Sequence, residues 1–366
     1  MSPGPRFSIR TLGAVHSAAL VALVALWPPL LLFCDLANTA YFNSFFSEGT
    51  ALLALLAVAI AARALLLNKG NIVIAAYFIA VLLLITSKLQ HAPLALPFAV
   101  FLFHQVRWRA ALPTAALLIA AAYMFLATPP LYRTTNLWNS IFVSLAPYSP
   151  TAFADLNLSP DYAPFPGRNA FQFRDQVEAH YWTTRLSRET GHIAIARYYL
   201  IHPALAFRRM AVSLHGLEHT RPDDLGNTQP TSGTPFTQSH RFDQFSTAKA
   251  VLFRHAPYLA ASLYILCGIV LFKSRFAPIA ALILAMAALE FLISTFADAA
   301  IDHRHHALLQ QLADLWLLFG AASVWERSFA RAREAKSGSP PRQSLTRFLR
   351  RALRPYPPGT PASHAG

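Results

Sequence analysis

Several side chains in this sequence could do chemistry at a membrane boundary. Glu48 closes the polar, aromatic stretch Tyr41–Glu48, YFNSFFSE, and opens a long apolar run. A carboxylate there is costly unless it is used or paired. It could serve as a general base or hold a substrate hydroxyl, or it could simply favour a helix start through the macrodipole. Lys88 stands in TSKLQHAPLALP, between two further apolar runs. An ammonium in that place can stabilise the charge that develops on a departing phosphate oxygen, or it can snorkel from the end of a span. Asp302, His303, Arg304, His305 and His306 crowd one short loop together with Asp298. Arg304 and a histidine would bind a phosphate or a sugar, with Asp302 orienting them. As metal ligands they fit poorly, because neighbours in a helix point apart.

Other candidates are weaker. Glu290 and Asp314 lie inside apolar runs, where a carboxylate is expected to be functional or to pair with a neighbouring helix. His215 and His219 in HGLEH have half of a metal spacing, but the motif is not HExxH, and Gly216 weakens the helix that would carry it. Cys34 and Cys267 both fall in apolar runs and read as small buried side chains, not as a disulfide. The chain has no phosphate-binding loop of the Walker type, no dinucleotide fingerprint and no nucleophile elbow.

The elements that must position these residues are membrane helices. Of 366 residues, 55% are hydrophobic and only 13% charged, against about 25% charged in a soluble domain. The pattern predicts an all-α polytopic membrane protein with eight spans, near 13–35, 49–67, 71–87, 91–106, 110–127, 256–273, 276–297 and 306–324. The third and fourth are short for about 30 Å of hydrocarbon, so a re-entrant hairpin is an alternative for that pair. The first run is too long for a signal peptide, and Trp27-Pro28-Pro29 interrupts it.

The net charge of +14 does not point to nucleic acid, because the basic residues collect between spans and in the tail. Arg6 and Arg10, Arg63 and Lys69, Arg107 and Arg109, and Lys273 and Arg275 mark one side, together with the basic C-terminal tail. By the positive-inside rule both termini are cytoplasmic. Glu48, Lys88, the 298–306 loop and the whole of 128–255 then share the outer face, with the inner (plasma) membrane as the location. The chain divides into N-terminal membrane helices (1–127), a large extracytoplasmic insertion (128–255), C-terminal membrane helices (256–325) and a basic, disordered cytoplasmic tail (326–366). Within the insertion, 176–201 and 203–214 read as helices, with Pro203 at a helix start. Ile193, Ile195, Tyr198, Tyr199 and Leu200 suggest a surface against the bilayer, and 221–247 reads as an irregular loop.

The stretch YFNSFFSEGTALLALL followed by LLLITSKLQHAPLALPFAVFLF resembles the GT-C superfamily of integral membrane glycosyltransferases, which includes protein O-mannosyltransferases and the lipid A aminoarabinose transferase. There an acidic residue opens a span on the outer face and a lysine- and proline-bearing stretch follows. Glu48 matches the first, and Lys88 with Pro97 the second. DHRHHALLQ is similar to the late basic element before a final span, with Arg304 and His305 in its place. The resemblance implies transfer of a sugar from a polyprenyl-phosphate donor to an extracytoplasmic acceptor, normally with inversion. It makes Glu48 and Asp35 the catalytic candidates. Asn43, Lys88, Gln90, Asp302, Arg304 and His305 become the substrate-binding ones.

Asp35 stands at the end of the first run, without the Asp-bearing outer loop that the superfamily usually carries. No organic cofactor is called for, and a divalent metal is left open. The expected partners are a polyprenyl-phosphate-linked sugar and membrane lipid. Two other functions compete. One is a transporter or flippase of lipid-linked saccharide that works through Glu290 and Asp314, although paired half-repeats are absent. The other is an inactive, truncated GT-C-like protein.

Overall fold

The computed structural model describes Asp35 and residues 48–215, 243–297 and 303–336, except the side chains of His215, His303, Arg304 and 330–336. Among the described residues every regular element is helical. In lipid the backbone must satisfy its own polar groups, and a helix does so within one segment.

Glu48–Leu67 (α1) and Asn71–Ser87 (α2) form an antiparallel pair. After α2 the chain is extended at Lys88, then makes a 3₁₀ turn over Leu89–Leu94 that contains Pro93. Ala95–Val106 (α3) and Ala111–Ala127 (α4) follow. The segment outside the apolar runs contributes Pro130–Phe142 (α5), Gln176–Glu189 (α6), His192–Ile201 (α7) and Pro203–His215 (α8). Gln244–His255 (α9) and Pro257–Phe272 (α10) meet at a 115° bend. Ala277–Phe296 (α11) and Ala307–Lys336 (α12) complete the fold.

Among the described residues, four stretches are long and apolar enough to cross a membrane: Glu48–Leu67, Leu89–Ala127, Ala277–Phe296 and Ala307–Phe329. The bent α9–α10 pair makes a fifth if it counts as one span, and Asn71–Ser87 is a shorter apolar helix. The protein is therefore a multi-pass helical membrane protein; the described residues carry four or five such stretches, and Leu89–Ala127 takes in two of the eight runs expected. The expected span at 13–35 lies outside the described residues, as do Tyr41–Ser47, HGLEH from Gly216 onward, and most of the 221–247 loop.

Two hydrophobic cores organise the unit Met1–Ala321. In the first, Leu55, Tyr77, Leu84, Phe98, Leu102, Ile283 and Leu312 pack the membrane helices together. The Tyr77 hydroxyl donates to the Phe98 carbonyl at 3.3 Å, which satisfies a polar tip in apolar surroundings. Ile72, Leu112 and Leu126 face outward, as lipid-facing side chains do. In the second core, Trp138 on α5 meets Phe142, Phe165 and Phe173 with ring centres 4.0–5.2 Å away. Its indole N–H donates to the Arg168 carbonyl at 2.9 Å. In the unit Ala322–Gly366, the end of α12 carries Trp325 and Phe329 with rings 4.6 Å apart.

Two expectations about the 128–255 segment change. The helix expected over 176–201 is broken: Thr190 and Gly191 are both extended, and Gly191 starts α7 without a side-chain cap. Glycine weakens a helix interior by about 1 kcal/mol, so the break falls where continuation is least favourable. The bilayer-facing surface is also narrower than expected. Ile195, Tyr198 and Tyr199 are buried in the second core, and only Ile193 and Leu200 are exposed. α7 is apolar on nearly every side, so periodicity could not say which side faced inward. The helix start at Pro203 is found as expected.

Candidate functional site

Glu48 is the first residue of α1, and its side chain is 5% exposed. A carboxylate in that position is favoured by the helix dipole, but the dipole alone does not account for burial. Lys88 does: its Nζ lies 3.3 Å from Glu48 Oε1, at the extended break between α2 and the 3₁₀ turn. The same Nζ is 3.2 Å from His305 Nδ1. A charged ammonium has only donors, so His305 Nδ1 accepts in this contact, with the ring proton on Nε2; the 3.4 Å approach of the same Nδ1 to Gln90 Oε1 belongs to the other tautomer.

The 3₁₀ turn that follows Lys88 buries Gln90 and His91 side by side. Gln90 Nε2 donates to the His305 carbonyl at 2.8 Å and also to Glu290 Oε1 on α11. His91 Nε2 lies 3.7 Å from the same Glu290 oxygen, and its Nδ1 is 3.0 Å from Ser87 Oγ. Ser87 Oγ already donates to the Leu84 carbonyl at 2.7 Å. It therefore accepts from His91, which places a proton on His91 Nδ1. This arrangement excludes Ser87 as a histidine-activated nucleophile, because its own proton is directed at the backbone.

The result is one continuous network, Glu48–Lys88–His305–Gln90–Glu290–His91, drawn from α1, the α2–α3 connection, α11 and the turn before α12. Of the residues expected from the sequence, it unites Glu48, Lys88, Gln90 and His305. It also takes in Glu290, the intramembrane carboxylate noted in the sequence, and adds His91. Glu290 finds its partner on a neighbouring element, as an intramembrane carboxylate should. Asn43, Asp302 and the Arg304 side chain lie outside the described residues.

Asp35 bonds elsewhere. It accepts from the Ser246 N–H at 2.9 Å and from Ser246 Oγ at 2.6 Å, in the first turn of α9. One turn along α9, Lys249 Nζ meets both oxygens of Asp314 at 3.1 Å. These contacts pin the start of α9 and tie it to α12. Among the described residues, Asp314 and Glu290 bond to different partners.

Beside the first network lies a cavity of about 700 Å³, within the range of small-molecule sites. Gln90 is on its wall together with Arg133, Asn136, Thr190, His192 and Ile293. Its floor is thus the α2–α3 connection and the end of α11. Its roof is α5 and the α6–α7 break. Thr190 Oγ1 is buried there without a hydrogen-bond partner. The break that ends α6 serves to present Thr190, Gly191 and His192 to this space.

Away from the membrane helices, Arg185 clamps the insertion. It donates to Asp161 Oδ2 at 2.7 Å and to Glu189 Oε1 at 3.2 Å. The Arg185 hydrogen bond, and then that of Ser159, hold the Asp161 carboxyl below its usual range. Burial, and then the nearby Glu189 charge, push the Tyr162 hydroxyl well up. Burial likewise pushes Tyr199 up to about 12.

Apolar helices, buried ionisable groups at their ends and a largely apolar cavity beside them define the class: a multi-pass helical membrane protein with a buried polar network. The family described as the YfdI N-terminal transmembrane domain matches residues 9–337, and the chain belongs to it. No curated protein and no solved structure matches the chain.

Proposed function

We propose that the protein is a GT-C type glycosyltransferase of the plasma membrane, moving a sugar from a polyprenyl-phosphate donor to an extracytoplasmic acceptor. The observation that carries this reading is Gln90, which belongs both to the buried Glu48–Lys88–His305 network and to the wall of the 700 Å³ cavity. Gln90 thus links the carboxylate, the ammonium and the two imidazoles, none of which lines the cavity itself, to a space large enough for a sugar. N- and C-termini are cytoplasmic in this reading, with the insertion on the opposite face. The basic residues that flank the apolar runs support it.

In the reaction the acceptor oxygen bonds to the anomeric carbon as the bond from that carbon to the phosphate oxygen breaks. Glu48 takes the acceptor proton, and the configuration inverts. Lys88 exchanges its contact with Glu48 for the departing phosphate, and His305 donates from Nε2. Gln90, fixed by Glu290, orients the sugar. Asp35 acts at a distance, by holding α9. The Glu48–Lys88 pair keeps both groups desolvated and ready before substrate arrives.

The test is transfer from a labelled polyprenyl-phosphate hexose by membranes that contain the full-length protein. Transfer that falls at least a hundredfold in Glu48→Gln, with protein levels unchanged, supports the proposal. Undiminished transfer in that variant contradicts it. Saccharide export that depends on Glu290 but not on Glu48 would instead indicate a transporter.

A further inference from the structure

α5 begins in a way that a helix by itself does not favour. Its first turn holds no acidic residue and no side-chain cap, and Arg133 stands there instead. A cation at a helix start meets the positive end of the dipole, where an anion would be stabilised. The first backbone N–H groups of a helix also lack partners within it. Only Thr128 and Pro129 separate α5 from the last turn of α4, which closes the apolar stretch Leu89–Ala127. Arg133 therefore lies close to the edge of the apolar layer.

This start faces the cavity of about 700 Å³. Pro130, Arg133 and Leu137 recur at the spacing of one helix face and all line it, with Asn136 beside them. The Arg133 side chain is exposed, and among the described residues no hydrogen bond, ion pair or ring contact engages its guanidinium. The Asn136 amide is likewise uncommitted among them; only the carbonyl of that residue is used, by Ser140 Oγ. None of the wall residues is acidic. The other elements supply apolar wall: Leu89 and Pro93 of the α2–α3 connection, Phe125 of α4 and Ile293 of α11. A cation and an amide thus border a space whose remaining wall suits a hydrocarbon chain.

We infer that the cavity holds a lipid with a phosphate head, the head on Arg133, the Asn136 amide and the uncapped start of α5, the chain along Leu89, Pro93, Phe125 and Ile293. The guanidinium fork suits the oxygens of a phosphate, and the helix start adds N–H groups and a favourable dipole. A neutral head would leave the cation unmatched, and a cationic head would be repelled. Free phosphate would leave the apolar wall against water. The site is distinct from the Lys88 centre, which does not line the cavity and joins it through Gln90. Lipid binding here is independent of sugar transfer, so either can fail without the other.

The experiment uses purified full-length protein in neutral detergent micelles, with bound molecules counted by native mass spectrometry. Three probes are titrated: decyl phosphate, which has head and chain, decanol, which has the chain alone, and inorganic phosphate, which has the head alone. Wild type retains decyl phosphate at concentrations where it retains neither of the others. Arg133→Gln weakens that retention about tenfold or more, with unchanged circular dichroism. Asn136→Ala, and Arg133→Lys, which keeps the charge but loses the fork, each weaken it about threefold. The lipid that co-purifies with wild type and is lost in Arg133→Gln names the source by its mass, a diacyl phospholipid or an isoprenoid phosphate. Equal retention of decanol overturns the inference, because the apolar wall alone would then bind. Equal retention of inorganic phosphate overturns it too, and so does decyl phosphate that binds Arg133→Gln as it binds wild type. If Arg133→Gln does not fold, unchanged affinity in both Arg133→Lys and Asn136→Ala overturns it.

Discussion

Replacing Lys249 by Met should destabilise the protein far more than removing a surface charge would. Lys249 and Asp314 are 7% and 1% exposed, and both carboxylate oxygens are 3.1 Å from Nζ. Deleting the lysine strands a carboxylate in an apolar bundle, a loss of about 3–5 kcal/mol. That is roughly two to three and a half orders of magnitude in the folding equilibrium. An exposed pair would lose only about 0.2–1 kcal/mol. Asp314→Leu alone should cost a similar amount by stranding the ammonium. The double variant, with both charges replaced by apolar groups, should recover to within about 1–2 kcal/mol of wild type. The assay is reversible unfolding in mixed micelles, followed by the fluorescence of Trp316, whose indole donates to the Tyr264 carbonyl next to this pair. Single variants that each cost under about 1 kcal/mol and add in the double variant would refute the reasoning that this pair is buried and coupled.

Further consequences follow from neighbouring contacts. Glu290→Gln leaves Gln90 without its charged acceptor, so donor turnover should fall about tenfold or more with little change in fold, measured as initial transfer rate against circular dichroism. Gly268→Leu should unfold at a lower Tm in a detergent melt, because a Cβ there would meet Trp316 Cζ2 at 2.9 Å and the α10–α12 contact depends on a small residue. The Asp161 carboxyl titrates below its unfolded value of 3.8. Its contribution is therefore complete above that pH and is lost as pH falls through the folded value. An acid titration of wild type against Asp161→Asn should show curves that diverge above this window and converge below it.

Much of the site could be read from the sequence, and the rest depended on register. The positive-inside pattern placed Glu48, Lys88 and His305 on one face, although Lys88 and His305 are 217 positions apart. It could not show that they touch. His91 was less legible, since neighbours in an α or a 3₁₀ turn both point about 100–120° apart, and Gln90 and His91 are both inward because α11 and the turn before α12 pack on this connection. Asp35 was expected near the catalytic centre because the GT-C resemblance calls for an Asp ahead of Glu48, and Asp35 stands at the end of the first apolar run. Its bonds to Ser246 belong to a helix far along the chain, and no local pattern signals such a pairing. Arg133 went unremarked because it reads as an ordinary surface charge; only its place on the cavity wall distinguishes it. The number of crossings was read from hydropathy alone, which does not distinguish a bent or short apolar helix from one that spans.

The most direct measurement is single-turnover transfer from a labelled polyprenyl-phosphate hexose by purified full-length protein in proteoliposomes, for wild type, Glu48→Gln and Lys88→Met. A functional Glu48–Lys88 centre predicts transfer by wild type and a rate lower by about a hundredfold or more in each variant, with unchanged circular dichroism. Equal rates in all three would contradict it, and so would no transfer by folded wild type.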